Sequence, residues 1–166
     1  MEKGVRFTED RIKIVEKNES EIERKAKVDM DIKGLDVRLE GKAVDVLKAE
    51  NILDAIFEGF PLEESFKLLN EENQLKVVHL NDFTSSGMSV EKIKGRIIGE
   101  GGRTRELIEE LAKVSVSIHG KNVSLIGNPG EISTAMRAVE MLIHGKPHGR
   151  VYRYLEQNQP GKEEMI

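Results

Sequence analysis

Residues 95–105 read Gly-Arg-Ile-Ile-Gly-Glu-Gly-Gly-Arg-Thr-Arg, a segment with four glycines, three arginines and one acid, Glu100. Glycine concentrated in this way suits a place where bare backbone must approach a ligand or take a φ that a Cβ forbids. Arginine beside it suits an anion that offers several oxygens. From Lys92 to Arg105 the cations Lys92, Lys94, Arg96, Arg103 and Arg105 stand against Glu100 alone, a local +4. The whole chain carries −4, so these residues define a local site for a polyanion and not an electrostatic coat. Residues 1–76 hold 14 Lys+Arg against 19 Asp+Glu, and residues 77–166 hold 12 against 11. If one half meets a polyanion, it is the second.

Two phosphate loops fail to match these glycines. A P-loop needs Lys and then Ser or Thr after its last glycine, and Arg103-Thr104 stands there instead. A dinucleotide fingerprint opens from a strand, whereas this segment follows a predicted helix. Other chemistry has still less support. The 166 residues contain no Cys, which removes disulfides, thiolate metal sites and cysteine nucleophiles together. His119, His144 and His148 lack ligand spacing, and no pair of acids stands with a nucleophile or metal box, so neither a metal, a cofactor nor an enzyme is expected. No apolar run approaches the roughly 18 residues of a membrane span, and the N-terminus moves directly into mixed charge, so a cytoplasmic protein is the expectation.

The elements that must position the glycines can be read around them. Leu75–Leu80 has strand character, Ser89 is a candidate N-cap for a short helix ending near Gly95, and a longer helix is predicted over Arg103–Ala112. Val114, Val116 and Ile118 alternate with Ser115, Ser117 and His119, the period of a half-buried strand. Gly120-Lys121 turns the chain into a second strand, 122–126, and Asn128-Pro129-Gly130 breaks it before a helix from Glu131 to His144. The predicted order is βααββα, with the glycine segment between the first two helices. Ile97 and Ile98 would then floor an apolar groove for unpaired bases, Ile108 and Val116 would wall it, and the N-terminus of the following helix would turn free N–H groups toward phosphate.

A repeat organises the rest. At a constant spacing of 86, Lys27-Val28 matches Lys113-Val114, Gly34 matches Gly120, Gly41 matches Gly127, and Ala49 matches Ala135. The same spacing pairs Gly59 with Gly145, Pro61 with Pro147, Phe66 with Tyr152 and Leu69 with Leu155. The first copy is expected to have strands near 28–32 and 37–39 and a helix over 44–57, with a connection in 64–73. Its early part needs a deletion. Where the glycines should lie it reads Lys13 to Ser20, and no glycine occurs between Gly4 and Gly34.

The core Ile97-Ile98-Gly99-Glu100-Gly101-Gly102 resembles the KH signature I-I-G-x-x-G. Together with Gly145-Lys146-Pro147-His148-Gly149 and Val151 to Glu156, it is similar to archaeal two-KH proteins related to the partner-of-Nob ribosome-assembly family. The resemblance implies an α+β fold of tandem type I KH domains, each a three-stranded sheet with helices on one face: 1–73 degenerate and without the loop, 74–156 with it, and 157–166 a flexible tail. It implies binding of single-stranded RNA, in the 3′ region of small-subunit ribosomal RNA, through Arg96, Ile97, Ile98, Gly99, Glu100, Gly101, Gly102, Arg103, Thr104, Arg105, Ile108 and Val116. It also implies work beside a Nob-type endonuclease, and related proteins are implicated in contacting a translation-initiation factor. Glu100 departs from the KH pattern, whose loops commonly place Lys or Arg among the two middle positions. Glu100 and the net acidity leave a second reading, a protein-interaction adaptor in translation or RNA decay with a residual clamp. The first copy is then expected to pack against the second or to recruit protein. Arg137, Lys146, Arg150 and Arg153 form a further basic cluster, either an extension of the RNA track or a soluble face.

Overall fold

The computed structural model describes residues 1–161, apart from the side chains of residues 85 and 86. The chain divides into two compact units, residues 1–73 and residues 74 onward. The first contains β1 (Glu2–Arg6), α1 (Glu9–Lys17), α2 (Glu19–Ala26), β2 (Asp29–Lys33), β3 (Asp36–Glu40) and α3 (Ala43–Phe57), then a short α4 (Leu62–Ser65) that tightens into a 3₁₀ turn over Phe66–Leu69. Its antiparallel sheet has the order β1-β3-β2, with Val5, Val37 and Ile32 in register. Val46, Ala49, Leu53 and Ile56 form the buried stripe of α3 at helical spacing.

The second unit repeats the plan with β4 (Gln74–His79), α5 (Val90–Ile98), α6 (Arg103–Ala112), β5 (Ser115–His119), β6 (Asn122–Gly127), α7 (Pro129–Ile143) and α8 (His148–Gln157). Its sheet order, β4-β6-β5, is the same. The architecture is α+β, two three-stranded antiparallel sheets with their helices. In the second unit one apolar cluster joins Ile93, Ile97, Ile108, Val116, Leu125, Val139 and Leu142, and it takes in Val151 and Leu155 from α8.

Four details differ from the sequence reading, each for a local reason. Gly95 does not end α5, because Ile97 lies one turn beyond Ile93 on the same buried face and holds the helix to Ile98. Asn128-Pro129-Gly130 is a helix start and not only a break. Asn128 Oδ1 accepts from Glu131 N at 2.8 Å, Glu131 returns a bond to Asn128 N at 2.9 Å, and Pro129 supplies a φ already helical. On β5 the alternation is one of polarity and not of exposure, since Ser115, Val116 and Ser117 are all buried. Finally, α8 was not anticipated. Gln157, expected to open the tail, is the last residue of this helix. The rest of the expected flexible tail reaches residues 162–166, which lie outside the described residues.

The 86-residue spacing is physical. Lys27 and Lys113 both end a helix in the left-handed region, at φ 60° and 61°, and Gly34 and Gly120 both turn a hairpin there, at 62° and 57°. Glu23 Oε2 accepts from Met30 N at 3.0 Å, and Glu109 Oε2 from Val116 N at 3.2 Å. Each glutamate thus satisfies an outward N–H of an edge strand, β2 in one unit and β5 in the other.

Candidate nucleic-acid interface

Between α5 and α6 the chain makes a 3₁₀ turn over Glu100–Gly102. Gly99 (φ 76°), Gly101 (φ 61°) and Gly102 (φ 79°) all sit at positive φ, so three of four consecutive residues occupy backbone that L side chains adopt at a cost. They differ in their surroundings. A Cβ on Gly99 would lie 2.0 Å from Thr104 Oγ1 and 2.6 Å from Thr104 Cβ, so Gly99 is closed from behind. A Cβ on Gly101 or Gly102 would meet nothing within 4 Å. Their backbone is open to whatever approaches from solvent. The first N–H groups of α6 follow directly, and such groups have no partner within their own helix. Glu100, Arg103 and Arg105 are exposed around the turn. Among the described residues Arg103 has no ion-pair partner, whereas Arg105 Nε lies 3.5 Å from Glu109 Oε1.

The other expected site residues are placed differently. Arg96 donates from Nε to Leu142 O at 2.9 Å and from Nη2 to Lys146 O. Its guanidinium closes the carbonyl end of α7, a backbone role that the sequence reading did not assign to it. In the first unit Arg11 does the same, from Nε to Ile56 O at 2.8 Å and from Nη2 to Phe60 O at 2.9 Å. The acceptors stay 86 residues apart while the arginines are 85 apart, so the register slips by one residue between these arginines and Glu23/Glu109. Of the residues expected to line an apolar groove, three of four are buried. Ile97 and Ile108 are 0% exposed and Val116 2%, all spent on the core under the loop. Ile98, at 37%, is the one member of that set with apolar surface to offer a base.

Thr104 is also turned inward, at 0% exposure. Its Oγ1 lies 2.8 Å from the hydroxyl of Tyr152 on α8. One helical turn earlier His148 Nε2 donates to Arg96 O at 3.0 Å and meets the Tyr152 ring edge-on, centroids 6.1 Å apart. Neither Tyr152 nor His148 was singled out as a support for the loop. The sequence did carry a signal, since Phe66 and Tyr152 are equivalent in the repeat and only the second bears a hydroxyl.

In the first unit the corresponding connection is one residue, Asn18. Its Nδ2 donates to Ile14 O at 2.8 Å and its carbonyl accepts from Ile22 N at 3.0 Å, so α1 passes into α2 with no glycine turn. Lys13 and Lys17 are exposed on α1. Among the described residues no group of three or more His, Asp or Glu is arranged to hold a metal ion, and no helix is long and apolar enough to cross a membrane.

An antiparallel three-stranded sheet in βααββα order, with a glycine turn between its first two helices, defines the second unit as a nucleic-acid-binding fold of the type I KH class. The model of the eukaryotic-type KH domain (KH-domain type I), in its version for the second domain of PNO1 proteins, matches residues 74–160. The chain belongs to this PNO1-type KH family. Among relatives, it is 37% identical over 145 residues to a KH domain-containing protein of Methanocaldococcus jannaschii, covering 85% of this chain and 63% of that one. The pre-rRNA-processing protein pno1 of Aspergillus fumigatus is 29% identical over 108 residues, covering 63% of this chain and 43% of the relative. The chain thus spans less than two thirds of the length of either. Among solved structures, Dim2p of Pyrococcus horikoshii is 39% identical, with a TM-score of 0.87 over 95% of this chain and 99% of that one. The a/eIF2alpha-aDim2p-rRNA complex of the same organism gives 38% identity and 0.88 over 96% and 94%.

Proposed function

We propose that the chain is a single-stranded RNA-binding protein of small-subunit ribosome assembly, whose second unit grips the sugar-phosphate backbone with Gly99–Gly102 and the start of α6. The observation that carries this reading is the open backbone at Gly101 and Gly102, set between the closed Gly99 and the exposed Arg103. Bare backbone, a helix N-terminus and an exposed guanidinium within a few residues suit a phosphate chain better than a small apolar ligand. Bases held there would rest on Ile98. Support also comes from relatives named for pre-rRNA processing and from a solved relative bound to rRNA. The finer reading is the 3′ region of small-subunit ribosomal RNA, presented to a Nob-type endonuclease, with a translation-initiation factor as a further partner. The a/eIF2alpha in that neighbouring complex favours the latter. In this reading the chain acts by binding and supplies no catalytic group.

Residues 1–73 are, on the same proposal, a KH repeat that has lost its clamp, and 74–156 is the repeat that retains it. The shared element order, the shared sheet order, the paired Arg11/Arg96 brackets and the paired Glu23/Glu109 bonds favour that descent. Asn18 in place of a glycine turn favours the loss.

The test is Gly101→Asp combined with Gly102→Asp. Both positions have room for a side chain, Asp tolerates positive φ better than most residues, and each adds negative charge where phosphate would lie. In a gel shift the double variant is expected to lose single-stranded RNA while its circular dichroism stays that of the parent. A folded double variant that binds as before would remove the clamp assignment.

A further inference from the structure

The two units contain an internal control for what holds the glycine loop. Devices needed merely to fold the unit occur in both copies: the arginine that closes the long helix, through Arg11 and Arg96, and the glutamate that closes the edge strand, through Glu23 and Glu109. A device needed for the loop should occur only where the loop does. The Thr104–Tyr152 hydroxyl pair meets that criterion. At the 86-residue spacing its partners in the first unit are Asn18 and Phe66, which cannot form it. Asn18 bonds back into its own helix at Ile14 O, and the Phe66 ring instead receives Lys25 Nζ at 4.4 Å from its centroid.

We propose that Tyr152, on α8, is a positioning residue for the RNA clamp: its hydroxyl fixes Thr104, and Thr104 in turn fixes the backbone of Gly99. This rests on the RNA-binding reading given above. The geometry is a short chain of contacts. Thr104 Oγ1 bonds Tyr152 at 2.8 Å on one side and occupies the space of a Gly99 Cβ on the other. Gly99 is where the chain leaves α5, and Gly102 N bonds back to Gly99 O at 3.1 Å, so the turn that carries Gly101 and Gly102 hangs from this point. With Thr104 free to rotate, its methyl and hydroxyl exchange places against Gly99 and the turn loses its fixed floor. A loop that is ordered before it meets RNA loses less conformational entropy on binding. The second unit therefore needs α8 for function as well as for its core. That also explains why the equivalent segment of the first unit shrinks to α4 and a 3₁₀ turn, where there is no loop to hold.

Tyr152→Phe removes the hydroxyl and keeps the ring, so the unit is expected to fold. Amide hydrogen exchange by NMR is expected to speed up at Gly99–Arg103 while the β4 and β6 amides keep their protection. Affinity for a short single-stranded RNA with the 3′-terminal small-subunit sequence is expected to fall by roughly two- to tenfold, the span that one hydrogen bond supports. Thr104→Ser keeps a hydroxyl and is expected to retain more of both properties than the isosteric Thr104→Val. Tyr154→Phe, on the other flank of α8, is expected to change neither. Unchanged exchange at the loop in Tyr152→Phe, or equal acceleration across the whole unit, would overturn the positioning role. Failure of the parent protein to bind RNA would overturn the functional reading instead, and the exchange experiment would register the Tyr152 contact independently of it.

Discussion

Gly99 is fixed by packing, because Thr104 fills the place of its Cβ, while Gly101 and Gly102 are left open. Gly99→Ala must therefore displace a buried threonine and hold a strained φ together, a cost of about 1–3 kcal/mol for the backbone alone. Gly101→Ala meets only the φ cost. Thermal unfolding is expected to show a clearly lower Tm for Gly99→Ala than for Gly101→Ala, and equal values would mean that Thr104 moves aside freely. Arg96 has partners that its place in the sequence does not reveal. Beside the glycines it reads as a phosphate ligand, yet its acceptors, Leu142 O and Lys146 O, lie some fifty residues later. The cost of Arg96→Ala is then expected in stability, at about 1–3 kcal/mol for carbonyls left without a charged donor. The burial of Ile97, Ile108 and Val116 was not legible, because an apolar residue in sequence does not reveal whether a core or a groove claims it.

Most helices and strands were legible from period and caps, and the exceptions share a cause. α8 and its counterpart α4 follow Gly-x-Pro, which reads as a boundary, and they begin on few apolar residues. The repeat pairs Phe66/Tyr152 and Leu69/Leu155 mark an element there, but that signal is weaker than the breakers before it. In the first unit, α3 carries a charge pattern that its packing does not favour. Glu50, Asp54 and Glu58 are spaced four apart toward the C-terminal end, where the helix dipole is negative. Burial first, then Glu50 and Glu58, push the Asp54 carboxyl up from 3.8 to about 6. Across that interval the native unit holds a proton that the unfolded chain releases. Stability from this group therefore falls as pH rises from 3.8 through about 6, and the loss is complete above it. Asp54→Asn is expected to raise the Tm more at about pH 8 than at about pH 4. A gain independent of pH would show that Asp54 titrates normally.

For the whole molecule, the question is why one unit has a glycine loop and the other does not. The charge split follows the geometry: the half with the glycine turn is near neutral and carries a local excess of cations, and the half joined through Asn18 is acidic. The shared element order of the two units, the position of the loop and the charge difference between the halves were all legible in the sequence, since they depend on spacing and charge. What α8 does for the loop was not, because it depends on a hydroxyl meeting a threonine 48 residues away. The most direct measurement is a fluorescence-anisotropy titration of the 3′-end RNA at several salt concentrations, comparing the parent with Arg103→Ala, Arg105→Ala and Lys17→Ala. Each phosphate contact on a single strand contributes about 0.7 to the slope of log affinity against log salt. Arg103→Ala is expected to flatten the slope by about that amount. Arg105→Ala, already paired with Glu109, is expected to flatten it less, and Lys17→Ala is expected to leave the parent slope. A slope lowered by Lys17→Ala as much as by Arg103→Ala, or unmoved by Arg103→Ala, would contradict a clamp confined to the second unit.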